Sequence, residues 1–167
     1  MDEAKRLVDL IPRLRRYARA LVGDRASADD LVQDTLERAW SKLHLYRRGT
    51  DLRAWLFTVM HNVHVNRVRA TRSTDVLQEE MPELAQNGSQ ADALLVRDLD
   101  RAIGQLPADQ RAVLLLVTLE EMSYEEVART LGIPIGTVMS RLSRAREKLR
   151  ALMSGQAVPP AKLKVVK

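Results

Sequence analysis

Arginine and lysine recur along residues 134–153, a stretch whose apolar residues repeat at helical spacing. The apolar positions are separated by four, three and four residues: Val138, Leu142, Ala145 and Leu149. This spacing predicts an amphipathic helix that buries those four side chains. The opposite face carries small polar side chains and cations, namely Gly136, Ser140, Ser143 and Arg144, with Thr137, Met139 and Arg141 on its flanks. Side chains of these types can bind phosphates and base edges in the major groove of DNA.

A shorter helix is predicted immediately before it, over residues 124–131. Ser123 and Glu126 have the spacing of a capping box, Gly132 supplies a turn, and Pro134 suits the first turn of the next helix. Two helices joined in this way form a helix-turn-helix, which makes nucleic acid the first partner to consider. The alternative is a helical hairpin whose arginines are merely solvated. The acidic first helix and the basic second helix argue against it, since a merely soluble helix more often mixes both signs.

Composition limits the remaining classes of protein. The 167 residues can form one medium domain or two small ones, and a hydrophobic fraction of 46% is enough for their cores. The net charge is +5. The chain has no cysteine, which excludes disulfides and thiolate metal sites and fits a reducing compartment. No apolar run has the length of a membrane span, and the first residues do not resemble a secretory signal. We therefore expect a soluble protein of the cytoplasm.

The charge is distributed unevenly along the chain. Residues 1–72 hold fifteen basic and nine acidic residues, 73–90 hold four acids and no base, 91–153 hold nine of each, and the tail adds three lysines. Two separated basic regions suggest that nucleic acid is bound at two places. The acidic stretch, with a proline and an Asn-Gly pair, predicts a flexible linker.

The hydrophobic pattern on both sides of that linker is helical, with no alternating strand pattern, so we predict an all-α chain of two small domains. The predicted parts are a first domain over 1–72, a linker over 73–90, a helix-turn-helix domain over 91–153 and a disordered basic tail over 154–167. The predicted helices cover 2–22, 27–43, 52–72, 92–105, 108–121, 124–131 and 134–153.

Two helices of the first domain carry polar faces of different character. The helix from residue 27 is predicted to bury Trp40 with its aliphatic residues and to expose an acidic face made of Asp30, Gln33, Asp34 and Glu37. The helix from residue 52 is predicted to bury Trp55 and to present amides and cations, including Asn62, Asn66, Arg67 and Arg69. Amides and arginines of this kind read base edges and phosphates.

The loop between these two helices places an aromatic ring beside cations. Tyr46 precedes Arg47 and Arg48, and Gly49 follows. Such a ring can stack on an unpaired base. The alternative, which the sequence leaves equally open, is a partly buried ring that covers the contact between the two helices.

An enzyme is the main rival class, and its best candidate residues are histidines. His61 and His64 are spaced to share one helical face, with His44 upstream. No cysteine or carboxylate stands beside them in sequence to complete a metal site, and the chain has no nucleotide-binding glycine loop. We therefore predict no catalytic residues, no metal and no cofactor.

Three segments together resemble the extracytoplasmic-function group of bacterial RNA polymerase sigma factors: DDLVQDTLERAW, LRAWLFTVMHN, and the block LPADQRAVLLLVTLEEMSYEEVARTLGIPIGTVMSRLSRAREKLR. The resemblance covers residues 5–152, with the segments in the order typical of the family. It implies a first domain that binds polymerase and melts the −10 element, and a second domain that reads the −35 element.

The resemblance also assigns residues to partners. It implies that the acidic face, Asp30, Gln33, Asp34 and Glu37, binds the clamp helices of the largest polymerase subunit, and that the flap of the second-largest subunit is a further contact. It places residues 44–50, with Tyr46, Arg47 and Arg48, in a loop that captures a flipped base, and Asn62, Asn66 and Arg67 at the −10 bases. At the −35 duplex it implies contacts from Arg129, Thr137, Met139, Ser140, Arg141, Ser143 and Arg144.

Members of this family are commonly held inactive by an anti-sigma factor. The apolar faces between the two domains are candidate docking surfaces for such a partner. The remaining alternative is a helix-turn-helix regulator that binds DNA without polymerase, which would leave the acidic face and the acidic linker without a role.

Overall fold

The computed structural model describes residues 2–72 and 90–155. Within these ranges the chain forms seven α-helices and one short 3₁₀ helix, and no strand, which confirms the all-α prediction. The helices are α1 (Asp2–Val22), α2 (Arg25–Ser41), the 3₁₀ helix Leu43–Leu45, α3 (Leu52–Arg72), α4 (Gln90–Gly104), α5 (Ala108–Thr118), α6 (Tyr124–Leu131) and α7 (Ile135–Met153). The predicted linker, apart from residue 90, and the predicted disordered tail beyond residue 155 lie outside the described residues.

Local capping explains where several helices begin. Asp24 caps α2 by accepting a hydrogen bond from the Ser27 amide at 2.8 Å, so α2 begins two residues earlier than predicted. The capping box of α6 is confirmed, because Ser123 and Glu126 each accept a hydrogen bond from the other's amide at 3.1 Å. Pro134 is the residue before α7 and not part of its first turn.

The α5–α6 loop differs most from the prediction. Helix α5 ends at Thr118 and not at Glu121. Glu121 has a φ of 54°, a left-handed conformation that is uncommon for a residue other than glycine. This residue ends the α-helical path and turns the chain toward α6, so Glu120 lies in a tight loop instead of on a helix.

Helices α1–α3, the N-terminal group, pack around aliphatic residues and an aromatic pair. Tyr17 of α1 meets Phe57 of α3 edge-on, with ring centroids 5.1 Å apart. The prediction that Trp40 is buried was wrong, because its side chain is 64% exposed. Trp40 lies one residue before the end of α2, and it is the neighbouring Ala39 that faces the core. Trp55 is half-buried against the core, as predicted.

Helices α4–α7, the C-terminal group, place α7 at the centre of the helix-turn-helix. Helix α7 packs against α4, α5 and α6 and buries Val138, Leu142 and Ala145, three of the four residues predicted for its inner face. Leu149, the fourth, is half-buried. Gly132 closes α6 in the left-handed conformation, with φ 67°, and so provides the predicted turn.

The two groups pack against each other. Helix α1 contacts α4 and α5, and α3 contacts α6, so that the buried apolar residues of both groups form one continuous cluster. The apolar residues that meet at this contact therefore cover each other, while Leu94, Leu95 and Val96 of α4 stay exposed.

Candidate nucleic-acid and partner interfaces

The exposed face of α7 is the best-formed candidate DNA interface. Met139, Ser140, Ser143 and Arg144 are all exposed, on the side of α7 opposite its buried residues. The Ser140 hydroxyl donates to the Thr137 carbonyl of the preceding turn, whereas the side chains of Ser143 and Arg144 make no hydrogen bond or ion pair with the described residues. This face can therefore enter a major groove without first breaking internal contacts.

The flanks of that face are more constrained. Thr137 and Arg141 are half-buried, and Arg141 Nε lies 3.5 Å from a carboxylate oxygen of Asp109 on α5. Arg129 is exposed on α6. The sequence reasoning did not select Tyr124, which stands at the start of α6 and lines a groove with Met139, Arg146 and Arg150 of α7. The sequence feature that could have identified Tyr124 is its position next to the capping residue Ser123.

The polar face of α3 is only partly available. Asn62 and Asn66 are exposed one turn apart, as predicted. Arg67 is half-buried and forms an ion pair with Asp34 of α2, and it also donates to the Asp30 carbonyl at 3.1 Å. The structure thus joins a residue predicted to contact the −10 element to two residues predicted to contact polymerase.

The loop before α3 does not present an exposed aromatic ring. Tyr46 is 8% exposed, its hydroxyl donates to the Thr50 carbonyl, and its ring lies against Trp55 with centroids 5.5 Å apart. In this structure the ring covers the helix contact, which is the alternative that the sequence left open, and the stacking role of Tyr46 stays a prediction. Arg47 and Arg48 are exposed, and Arg48 Nε lies 3.0 Å from a carboxylate oxygen of Glu3.

The acidic face of α2 is exposed along its whole length. Asp30, Gln33, Asp34 and Glu37 are all open to solvent, and the exposed Trp40 lies one turn beyond Glu37. A large aromatic ring at the edge of a charged surface is typical of a protein interface. This surface is suited to a basic partner with an apolar contact at one end.

His61 and His64 of α3 are both half-buried. Among the described residues, no group of three or more potential ligand side chains is placed to hold a metal ion. Burial lowers the pKa of His61, and burial with the nearby His61, Arg111 and Arg67 lowers the pKa of His64. No described helix is long and apolar enough to span a lipid bilayer.

The sequence reasoning missed a cluster of charges at the contact between the two groups. Glu120 is fully buried, and Arg13 and Arg16 of α1 approach its carboxylate at 3.5 and 3.7 Å. Arg53 of α3 donates to the Glu120 carbonyl at 2.6 Å. The signal for this cluster was a glutamate that follows directly on the apolar run of α5.

Comparison with known proteins finds two matching family models. Residues 7–61 match the model described as the sigma2 domain of PhyR, and residues 96–149 match sigma-70 region 4. These ranges fall within the N-terminal and C-terminal groups.

Relatives that match most of the chain are sigma factors. The chain is 38% identical over 145 residues to the ECF RNA polymerase sigma factor EcfG of Rhodopseudomonas palustris, covering 86% of this chain and 80% of that protein. It is 39% identical over 145 residues to SigL of Mycobacterium tuberculosis, covering 82% and 80% of the two chains. Sigma factors are not enzymes.

A solved structure agrees over both groups of helices. The sigma factor RpoE of Bartonella quintana, crystallised with the anti-sigma factor NepR, superposes with a TM-score of 0.80 at 36% identity, covering 92% of this chain and 97% of that one. The identity and coverage of these relatives, together with the two family models, show that this chain belongs to the extracytoplasmic-function family of RNA polymerase sigma factors.

Proposed function

We propose that this protein binds core RNA polymerase and directs promoter-specific initiation of transcription, with residues 1–72 and 91–153 as its two functional domains. The proposal rests mainly on the exposed face of α7, which displays Met139, Ser143 and Arg144. Helix α7 is the second helix of a helix-turn-helix, and the first, α6, begins at a complete capping box. Family membership supplies the context in which that face acts.

The C-terminal domain would read the −35 duplex. Arg144 is the strongest candidate for a base contact, because an exposed guanidinium can bind guanine through two hydrogen bonds. Ser140, Ser143 and Met139 would contact neighbouring base edges. Arg129 and Arg141 would bind phosphates, and Arg141 would exchange its ion pair with Asp109 for that contact.

The N-terminal domain would hold the −10 element. Asn62 and Asn66 present amides to bases, and the exposed Arg47 and Arg48 can neutralise the strand. Tyr46 shapes the loop from within the core, so a stacking role would require the loop to open.

The acidic face of α2 would bind polymerase. Its carboxylates favour a basic partner surface, and Trp40 offers an apolar contact that such a surface can cover. The flap of the second-largest subunit remains a further proposed contact. A protein with these roles would act in the cytoplasm, and the roles would call for no catalytic residue, metal or cofactor.

An anti-sigma factor is a further proposed partner. The support is the close structural agreement with a relative that was crystallised with one. In this chain the apolar residues that meet between the two domains cover each other, so an anti-sigma factor would bind around the closed arrangement or replace part of it.

Transcription with purified core polymerase tests the proposal. Core enzyme with this protein should start transcripts from a defined set of genomic fragments that core enzyme alone does not use. Replacing Arg144 with alanine should change which fragments are used without abolishing core binding. A protein that binds DNA fragments tightly by itself, and adds no starts to core enzyme, would contradict the proposal.

A further inference from the structure

The first two turns of α7 present apolar side chains to solvent. Helix α7 begins at Ile135, which is 44% exposed, and Met139, one turn further on, is 52% exposed. Residues four apart are neighbours on a helix surface, so the two side chains form one apolar strip. The packed core of the described residues includes neither of them, although it includes Val138 and Leu142 of the same helix. Internal packing therefore does not explain why these two positions are apolar.

The rest of the exposed face of α7 is polar. Ser140, Ser143 and Arg144 offer hydroxyls and a guanidinium, which suit the nitrogen and oxygen atoms of base edges. An apolar side chain pressed against such an edge would remove a polar group from water without giving it a partner. The face thus combines a polar part with an apolar strip, and the two parts call for different groups on the DNA.

The base edges of the major groove carry a single kind of apolar group. It is the C5-methyl of thymine, since the other groups on these edges are hydrogen-bond donors and acceptors. In a helix-turn-helix the N-terminal residues of the second helix contact base edges, and Ile135 and Met139 lie in that part of α7. Their chemistry and their position therefore both point to thymine.

A glycine lies between these two residues without a structural need for it. Gly136 is exposed in the first turn of α7, where glycine weakens a helix relative to alanine. A Cβ added at Gly136 would meet no other part of the described chain within 4 Å, and the residue does not take the left-handed conformation that favours glycine. A missing side chain on an exposed face lets the backbone approach a bound molecule closely.

We propose that Ile135 and Met139 read the C5-methyl group of thymine in the −35 duplex, and that Gly136 allows α7 to lie close enough for this contact. This inference rests on the proposed function, because it refines the contact between α7 and the −35 element. It makes Ile135 a specificity-determining residue that the sequence reasoning did not select. The −35 element should then contain at least one thymine, on either strand, whose methyl group contributes to binding.

Removing the methyl group from the DNA tests the inference without altering the protein. The probe is a duplex promoter fragment that core polymerase selects with this protein, in which each thymine of the −35 region is replaced in turn by deoxyuridine. Deoxyuridine pairs as thymine does and lacks only the C5-methyl. The affinity of the complex of core polymerase and this protein should fall about threefold to fivefold at one or two positions, as expected for one buried methyl group. Equal affinity at every position would overturn the inference, and so would a −35 region that holds no thymine.

Truncation of the apolar side chains identifies the residue that reads the methyl group. Ile135→Ala and Met139→Ala should weaken binding to the thymine duplex, and the remaining affinity should no longer depend on the methyl group that the residue contacts. This loss of dependence separates a contact with the methyl group from a general weakening of α7. The matched control is Met153→Ala, an exposed apolar position at the other end of the same helix, which should keep the full dependence. Deoxyuridine sensitivity that persists in both Ile135→Ala and Met139→Ala would overturn the assignment.

Gly136→Ala tests the close approach and distinguishes it from a structural role. Alanine favours the helix, so the thermal midpoint of the protein should stay the same or rise. Promoter binding should fall several-fold, because the added methyl group holds α7 away from the bases. The control is Gly104→Ala at the end of α4, where an added Cβ also meets no other part of the described chain, and its promoter binding should be unchanged. Undiminished promoter binding by Gly136→Ala would overturn the close approach.

The outcomes separate this inference from the proposed function. Promoter fragments that are selected but show no effect of deoxyuridine would refute the thymine contact and leave the proposed function standing. If the protein directs core polymerase to no fragment at all, the proposed function is refuted and the inference with it.

Discussion

The two faces proposed to bind DNA differ in how many of their side chains are already engaged within the chain. On α7, Ser143 and Arg144 are exposed, and their side chains make no hydrogen bond or ion pair with the described residues. On the N-terminal group, Arg67 is paired with Asp34, Arg48 with Glu3, and Tyr46 is buried. The first face is ready for duplex, and the second must exchange internal contacts for contacts with DNA.

This difference fits the order of events that initiation requires. Intact duplex is available from the start, so a preformed face can bind it at once. Single strand exists only after opening, and a face that is engaged internally has little affinity for DNA until polymerase and melting supply new partners. The ion pair between Asp34 and Arg67 would couple polymerase binding to the release of Arg67 for DNA, because a partner that binds Asp34 competes with Arg67 for the same carboxylate.

The buried ring of Tyr46 offers the largest test of this comparison. Tyr46→Ala should lower the free energy of unfolding by about 3 kcal/mol through the cavity it leaves, whereas Tyr46→Phe should lower it by about 1 kcal/mol through the lost hydrogen bond to Thr50. Urea denaturation measures both. Tyr46→Phe should also open promoters normally, judged by permanganate reactivity of −10 thymines. Full stability of Tyr46→Ala would contradict the buried role.

Permanganate reactivity on a pre-melted template distinguishes a second role for the same ring. If the loop opens in the promoter complex and Tyr46 stacks on a base, Tyr46→Ala should impair opening at temperatures where it remains folded. A pre-melted bubble should restore only part of the transcription, because the stacking itself is lost. Normal opening by the folded variant would leave the ring with its structural role alone.

Replacing Arg144 tests the exposed face of α7, which is proposed to bind duplex DNA. Arg144→Ala should cost about 1 to 3 kcal/mol at one or two base positions of the −35 element and little elsewhere. Arg141→Ala should weaken all sequences alike, and by less, since its ion pair with Asp109 already engages it. Binding to a matrix of −35 variants separates the two patterns, and equal losses on all sequences for both variants would remove the base contact.

Substitutions on the acidic face of α2 should have a smaller effect, on binding to core polymerase, and two of them can be compared. Glu37→Lys should weaken core binding by about 1 kcal/mol, as expected for an exposed charge contact. Asp34→Lys should weaken it similarly and should also release Arg67. Competition with another sigma factor for core enzyme measures both. Core affinity that is unchanged in both variants would remove this face from the interface.

The smallest expected effect is a pH dependence of closure. Burial raises the pKa of the Glu120 carboxyl despite the facing Arg13, Arg16 and Arg53, and Tyr17 also lies within electrostatic reach. Separation of the groups would expose the carboxyl and return its pKa to the ordinary value. The closed form therefore binds the proton more tightly, so closure is favoured as pH falls and this contribution is lost as pH rises through the raised pKa. Energy transfer between dyes attached to the two groups should increase as pH falls, and this dependence should be lost in Glu120→Gln.

Most of the fold could be predicted from the sequence because helical periodicity and capping are local. Helices α1, α3 and α6 have the predicted ends, and the capping box and the glycine turn lie where expected. The end of α5 was misplaced because Glu121 takes a left-handed conformation that no local rule requires. The prediction that Trp40 is buried was wrong because an apolar side chain near the end of a helix need not face the core.

The site was predicted less completely, for a different reason. The exposed positions of α7 and α2 follow from helix geometry alone, and the structure places them on the surface as expected. The pairing of Arg67 with Asp34, and of Arg13 and Arg16 with Glu120, joins residues far apart in sequence. Charges in such pairs look the same in a sequence as charges on a solvated face.

The two tryptophans of the chain differ in exposure, and this makes the unlabelled protein its own optical reporter. Indole emission lies further to the red in water and further to the blue where solvent is excluded. Trp40, open at the end of α2, should report contact at the acidic face, while Trp55, packed on the ring of Tyr46, should report loosening of the loop before α3. Recruitment by polymerase and rearrangement at the −10 loop can therefore be timed separately in a single mixing experiment.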